Sequence, residues 1–482
     1  MSTLENLKPQ NVFRYFEEIS QIPHGSYHTG QISDYLVNFA KEHGLEHYQD
    51  ENDNVVIIKE ASAGYEEAEP VILQGHMDMV CEKDADREID FEKEGLSLYV
   101  DGDFLKAKGT TLGGDDGIAV AYALAVLDDD SLEHPRLEVV VTSNEEVGLL
   151  GAKTIDLSML KGRILLNIDS DIEGHFLTSC AGGLSARVKL PCAYQKAEGL
   201  CVSLRLGGLF GGHSGSEIDK EHANAIIEMG RILKYLDDRM QIRLLSLEGG
   251  LKDNAIPREA DATLMIASED KKTFDSHIEE ITKILQKEYA ATEPKLFVST
   301  SLQEVSVCDV LDASSMQRIL FYLRNVPNGI QHMSVNLKGL VETSLNAGIM
   351  KLSEDGFFIS SSVRSSVKSR KEEVADRLTY LTEFLGGEIS LDGDYPAWEY
   401  QENSMVRDKV FEVYKKMFGK EPVFEAIHAG LECGMLSDKI KDMDAVSFGP
   451  DNFDIHTPKE RLSISSAERV YRFLLELLRS MK

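Results

Sequence analysis

No stretch of the chain reaches the roughly 18 unbroken apolar residues that a membrane-spanning helix needs, so a membrane protein is not expected. The opening residues, Met1, Ser2, Thr3, Leu4 and Glu5, supply neither a basic segment nor an apolar one, so no secretory signal is expected either. Cysteine is sparse. Cys81, Cys180, Cys192, Cys201, Cys308 and Cys433 are scattered, with no C-x-x-C pair. That pattern argues against a disulfide scaffold and a thiolate zinc knuckle, and fits reduced thiols in a cytoplasm. Positive charge is short: 51 basic residues face 82 acidic ones, for a formal net charge of −31. Nucleic acid and anionic lipid would repel such a chain, and no basic stripe offsets the repulsion, so neither is expected as a partner. Internal repeats and low-complexity tracts are lacking as well.

What is present suits a soluble globular protein, with 42% hydrophobic and 28% charged residues. A length of 482 residues predicts two or three domains. Helix-like spacing of apolar residues over 11–45 predicts two helices, broken at Ile22-Pro23-His24-Gly25. Residues 54–58, 70–74, 137–142 and 164–169 read as strands, and 117–127 as an apolar, Ala-rich helix. Strands alternating with helices predict an α/β layer with a mixed, largely parallel sheet flanked by helices. After Ala181-Gly182-Gly183 the texture changes to strands mixed with amphipathic helices, at 223–236, 273–289 and 314–325. The α/β texture returns near 397, with a strand at 445–448 and a last helix at 467–481. The expected organisation is therefore residues 1–184 and 397–482 as one domain, with 185–396 inserted as an α+β domain.

Five short segments carry chemistry. His76 and Asp78, in Gln74-Gly75-His76-Met77-Asp78, sit at i and i+2, so on extended backbone they share a face. They end an apolar strand, where sites form in open α/β sheets. Gly113-Gly114-Asp115-Asp116-Gly117 enters the Ala-rich helix, and an Asp there also reads as an N-cap. In Asn144-Glu145-Glu146 consecutive side chains on extended backbone would diverge into different parts of one cleft. Asp169 ends another strand, where an acid is often only a turn former. His456 lies in the loop Ile455-His456-Thr457-Pro458. Two imidazoles and several carboxylates from separate strand ends form an N/O donor set suited to Zn²⁺. Two such ions would lower the pKa of a shared water and polarise a carbonyl.

These segments, together with Ile22-Pro23-His24, Lys108 to Gly113, Gly211-Gly212-His213-Ser214-Gly215, Asn254 to Glu259, Val341 to Asn346 and His428 to Gly434, resemble the M20 metallopeptidases. The likeness runs over almost the whole chain, and within the family it is greatest to the aminoacyl-histidine dipeptidase branch. It implies a dinuclear zinc dipeptidase acting on unblocked dipeptides, Xaa-His included. An N-acyl amino acid deacylase or aminotripeptidase on the same scaffold is the alternative. The implied ligands are His76, Asp115, Glu146, Asp169 and His456, for two Zn²⁺ per chain, with Mn²⁺ or Co²⁺ as possible substitutes. Asp115 would bridge, one ion adding His76 and Asp169 and the other Glu146 and His456. Asp78 would orient the His76 ring, and Glu145 would be the general base. Asp116 is left as a supporting or capping residue. The inserted domain would be the family's lid, making a homodimer. Its His213 would stabilise the oxyanion, in cis or from the partner, and Asn254 and Arg364 would bind the substrate's C-terminal carboxylate. Arg364 also reads as part of a plain lid strand. Glu432 reads either as a receiver of the substrate's α-amino group or as loop packing.

Overall fold

The computed structural model describes residues 3–482. It divides into two compact units. The first runs through Cys180 and then takes Tyr400–Ala426 and Leu431–Lys482; the second comprises Ala181–Glu399 and Ile427–Gly430.

The first unit is built on an eight-stranded sheet. Its strands in spatial order are Glu46–Gln49, Val55–Lys59, Leu137–Thr142, Val71–His76, Ile164–Asn167, Asp444–Ser447, His175–Cys180 and Val423–Ile427. The four central strands, 137–142, 71–76, 164–167 and 444–447, run parallel. Antiparallel neighbours flank them on both sides, so the sheet is mixed with a parallel centre. Every residue of Val71–His76 and Leu137–Thr142 is buried, as expected of strands covered on both faces.

The helix Gly114–Asp128 has no polar face; residues 117–127 are all buried. It packs in a core with Phe13, Phe16 and Ile19 of the helix Gln10–Ser20 and with Leu474 and Leu477 of the helix Ile464–Ser480. The break predicted at 22–25 separates Gln10–Ser20 from Gly30–Glu42. Because the central strands are parallel, their C-terminal ends lie along one edge. That edge receives His76, the segment after Thr142, and the segment after Asn167.

The second unit is α+β. Its main sheet pairs antiparallel throughout, from Phe297–Leu311 at one edge to Glu388–Tyr395 at the other. The helices Ala225–Asp237, Lys271–Glu288, Ala313–Asn325 and Lys368–Phe384 contribute their apolar faces to its core. The segment 427–430 belongs here through backbone and side chain: the Ala181 N–H donates to the carbonyls of Ile427 and Ala429 at 3.1 and 3.0 Å, and His428 Nε2 meets Ser344 Oγ at 2.7 Å. Among the described residues no helix is long and apolar enough to cross a membrane.

Candidate metal centre

His76 is 1% exposed at the end of its strand. Its Nδ1 lies 2.9 Å from the backbone carbonyl of Asp78, an acceptor, so Nδ1 carries a proton. Nε2 is thereby turned toward acids, 3.1 Å from Asp115 Oδ1 and 3.9 Å from Asp169 Oδ1. The other oxygen of Asp115, Oδ2, is 3.2 Å from His456 Nε2, and Glu146 Oε1 is 2.9 Å from that same nitrogen. Asp115 therefore faces one histidine with each carboxylate oxygen.

Asp78 does more than accompany His76. Its carboxylate is 3.5 Å from His76 Nδ1 and accepts the backbone N–H of Glu145 at 2.9 Å and of Glu146 at 3.4 Å, with the Ser26 hydroxyl at 2.8 Å. One buried acid thus fixes both the histidine and the turn that follows the Leu137–Thr142 strand. That turn corrects the extended backbone expected at Glu145-Glu146. Asn144 takes a left-handed φ of 52°, and Gly148 and Leu149 return their N–H groups to the Glu145 carbonyl. With the chain turned here, Glu145 and Glu146 do not diverge as expected: each offers a carboxylate oxygen within 4.8 Å of the other and of His76. The N-cap reading of Asp115 and Asp116 also gives way: neither is helical, and the N-cap position is Gly113, which has no side chain. Asp116 Oδ2 instead accepts the His76 backbone N–H at 3.2 Å.

The electrostatics show what the cluster lacks. Burial raises Asp169 well above the carboxylate range, and neighbouring Asp116 adds to the rise. Glu145 is pushed up to about 8, chiefly by burial, with Glu432, Glu146 and Asp115 reinforcing the shift against His76. His456 is raised to about 10 by its hydrogen bond to Asp115 and then by Glu146. Buried acids raised toward the neutral form, beside an imidazole raised toward the charged form, mark a site short of positive charge. The donor set fits divalent cations. His76, Asp116 and Asp169 form one group, His76, Glu145 and Glu146 a second, and Asp115, Glu146 and His456 a third; each offers ligand atoms within 4.8 Å of one another. Glu146 Oε1 is also buried without a hydrogen-bond partner, although His456 is near.

Glu432 is 0% exposed at the start of a short helix. Its Oε2 accepts from Gln74 Nε2 at 2.5 Å and Thr142 Oγ1 at 2.6 Å, while Oε1 has no partner. Two acids of this region escaped the sequence reading. Asp171 is pushed up to about 7 by burial and then by Asp115. Glu460 is 3% exposed beside the same segment. The one sequence signal for it is an acid four residues after His456.

In the second unit, Gly212–His213 pairs with Ala255–Ile256, which brings His213 next to Asn254 along the chain. His213 Nδ1 accepts the backbone N–H groups of Ser216 at 3.1 Å and Gly215 at 3.3 Å. The ring proton therefore sits on Nε2, and burial followed by Arg364 keeps the ring neutral by lowering its pKa. Asn254 is exposed and its carbonyl accepts the Ser214 N–H at 2.9 Å. Arg364 is 8% exposed and donates to Tyr395 Oη at 3.2 Å, while its Nε has no partner. Among the described residues no carboxylate pairs with it.

Residues 72–480 match Peptidase family M20/M25/M40. The chain is 38% identical to the cytosol non-specific dipeptidase of Escherichia coli (strain K12), covering 100% of this chain and 99% of that protein. It also superposes on the aminoacylhistidine dipeptidase of Vibrio alginolyticus, with TM-score 0.93, 34% identity and coverage of 99% and 98%. Aminopeptidase PepT of Bacillus cereus shares the fold at TM-score 0.56 and 13% identity, covering 98% of this chain and 99% of that one. Matched over residues 72–480 by the family and along its whole length by a dipeptidase at 38% identity, the chain belongs to peptidase family M20/M25/M40 and is a hydrolase.

Proposed function

We propose that the protein is a cytoplasmic, dinuclear metal dipeptidase that hydrolyses unblocked dipeptides, Xaa-His among them. The observation that carries this reading is Asp115, whose two oxygens face His76 and His456 separately at 3.1 and 3.2 Å. A bridging carboxylate needs that arrangement. His76 and Asp169 would hold one cation with Asp115, and Glu146 and His456 the other. Two Zn²⁺ fit these N/O donors, as would Mn²⁺ or Co²⁺. When bound, the cations would supply the positive charge that acidifies water and polarises the scissile carbonyl.

The chain's own groups do the rest. Glu145 takes the proton of the attacking water and delivers it to the departing amine. Its backbone is pinned by Asp78, so the carboxylate is positioned before substrate arrives. His213 donates Nε2–H to the developing oxyanion, and its Nδ1 acceptor contacts support that tautomer. Arg364 and Asn254 take the substrate's C-terminal carboxylate; a buried guanidinium without an acid is the support for this. Glu432 Oε1, which has no hydrogen-bond partner, would be the acceptor for the α-amino group.

The inserted unit serves as the lid and as the dimer contact. Its long edge strand Phe297–Leu311 exposes Leu302, Val305 and Val307 at 55–63%, an edge suited to pairing with a second copy. Six free cysteines and the kinship to a protein named as cytosolic support the cytoplasm.

The test is a metal-dependent panel of dipeptides, tripeptides and N-acetyl amino acids. Turnover of Ala-His and other free dipeptides well above the rest is expected. Preference for acetyl-amino acids or tripeptides would replace this reading with the deacylase or aminotripeptidase one.

A further inference from the structure

The buried carboxylate of Glu460 gathers the backbone N–H groups of consecutive residues. Leu112 and Gly113 donate to Oε2 at 2.7 and 3.1 Å, and Gly114 and Asp115 donate to Oε1 at 2.8 and 3.3 Å. Asn452 Nδ2 adds a contact at 3.3 Å. No Lys or Arg pairs with Glu460 among the described residues, so these donors carry the whole task of compensating a buried acid. Consecutive amides converge on one anion only when the backbone curls into a concave nest. Gly113 provides the curl with a left-handed φ of 68°. Gly114 provides the room: a Cβ there would lie 3.0 Å from Asn452 Nδ2 and 3.1 Å from Glu460 Oε1. The Gly-Gly before Asp115 thus belongs to a cradle for a carboxylate of the same chain.

The consequence lies at the two ends of this contact. The last amide in the nest is that of Asp115, and Glu460 follows His456 by four residues. His456 and Asp454 both hold left-handed backbone, φ 60° and 54°. Their loop is tied outward by the Arg461–Asp454 ion pair and by Thr457 Oγ1 donating to the Asp454 carbonyl at 2.7 Å. Inward, Glu460 joins it to the segment that carries Asp115.

We propose that Glu460 is a positioning residue for the cation held by Asp115, Glu146 and His456, because it fixes the span between Asp115 Oδ2 and His456 Nε2. This rests on the reading of Asp115 and His456 as ligands. Without the clamp, the loop with His456 loses its registration against Asp115, and that ion loses affinity while the ion on His76 and Asp169 does not. Removing an outer partner of metal ligands lowers affinity by about 10–100-fold, and a loss of that size is expected here.

The experiment is calorimetric zinc titration of the metal-free full chain, wild type against Glu460→Gln, with circular dichroism to confirm folding. Wild type is expected to take two ions. The variant is expected to keep one at wild-type affinity and bind the other about 10–100-fold more weakly. Co²⁺ loading should alter the absorption of one site and leave the other. Unchanged affinities for both ions would overturn the proposal, as would equal weakening of both, which marks a general loss of structure. A wild type that takes fewer than two ions would instead sink the ligand reading beneath it. Should Glu460→Gln not fold, hydrogen exchange on metal-free wild type decides. The amides of 112–115 are expected to be strongly protected, and rapid exchange there would overturn the clamp.

Discussion

Glu145 is a buried acid whose backbone N–H is held by Asp78 and whose carboxylate is pushed up to about 8 without cations, first by burial. Cations beside it would favour the ionised form that a base requires. Glu145→Gln is expected to keep two ions by elemental analysis and to lose roughly 10²–10⁴-fold in kcat; wild-type turnover would contradict the assignment. His456 gives a pH prediction. Its folded pKa, about 10, stands above its ordinary value because Asp115 and Glu146 hold the imidazolium. In metal-free protein this stabilisation is complete below about pH 6.5 and is lost as pH rises through about 10. Zinc needs the neutral ring, so zinc uptake at pH 7 must expel protons and zinc affinity must rise with pH. Calorimetry in buffers of different ionisation heat measures the release, and zero release would contradict it. His76, Glu145, Glu146 and Asp169 stood out as polar residues ending apolar strands, Asp115 only as an acid entering a helix and His456 only as a loop histidine, with the roles of all of them supplied by family resemblance. Glu460 and Asp171 were not, because an acid that bonds to loop amides or merely sits near other acids leaves no periodic mark.

The central strands were legible as apolar runs because parallel strands are buried on both faces. The turns beyond their C-terminal ends were less so. The Glu145-Glu146 turn depends on a left-handed Asn144 and on Asp78 capping from another strand, neither of which local pattern encodes. The two acids before the Ala-rich helix resembled a cap, yet one faces the histidines and the other the His76 amide. This helix approaches the Val71–His76 strand so closely that a Cβ on Gly75 would lie 2.5 Å from Asp116 Oδ2 and 2.6 Å from Ala119 Cβ. Gly75→Ala is therefore expected to destabilise the protein by about 1–3 kcal/mol through overpacking, read as a lower urea midpoint. An unchanged midpoint would show that strand and helix can separate freely at this point.

At the scale of the whole molecule, the described residues hold two large cores, one flanking a parallel-centred sheet and one an antiparallel sheet. The excursion of Ile427–Gly430 into the second unit was not legible, since its backbone hydrogen bonds to Ala181 and the contact of His428 Nε2 with Ser344 Oγ at 2.7 Å join residues far apart in the chain. Most of the net charge of −31 falls in the first unit, and there the acids around His76 are the ones whose burial demands cations. Anomalous diffraction from crystals grown with zinc tests that demand most directly. Two peaks about 3.5–4 Å apart are expected, one against His76 and Asp169, the other against Glu146 and His456, with Asp115 touching both. A single peak, or ions bound away from Asp115, would contradict it.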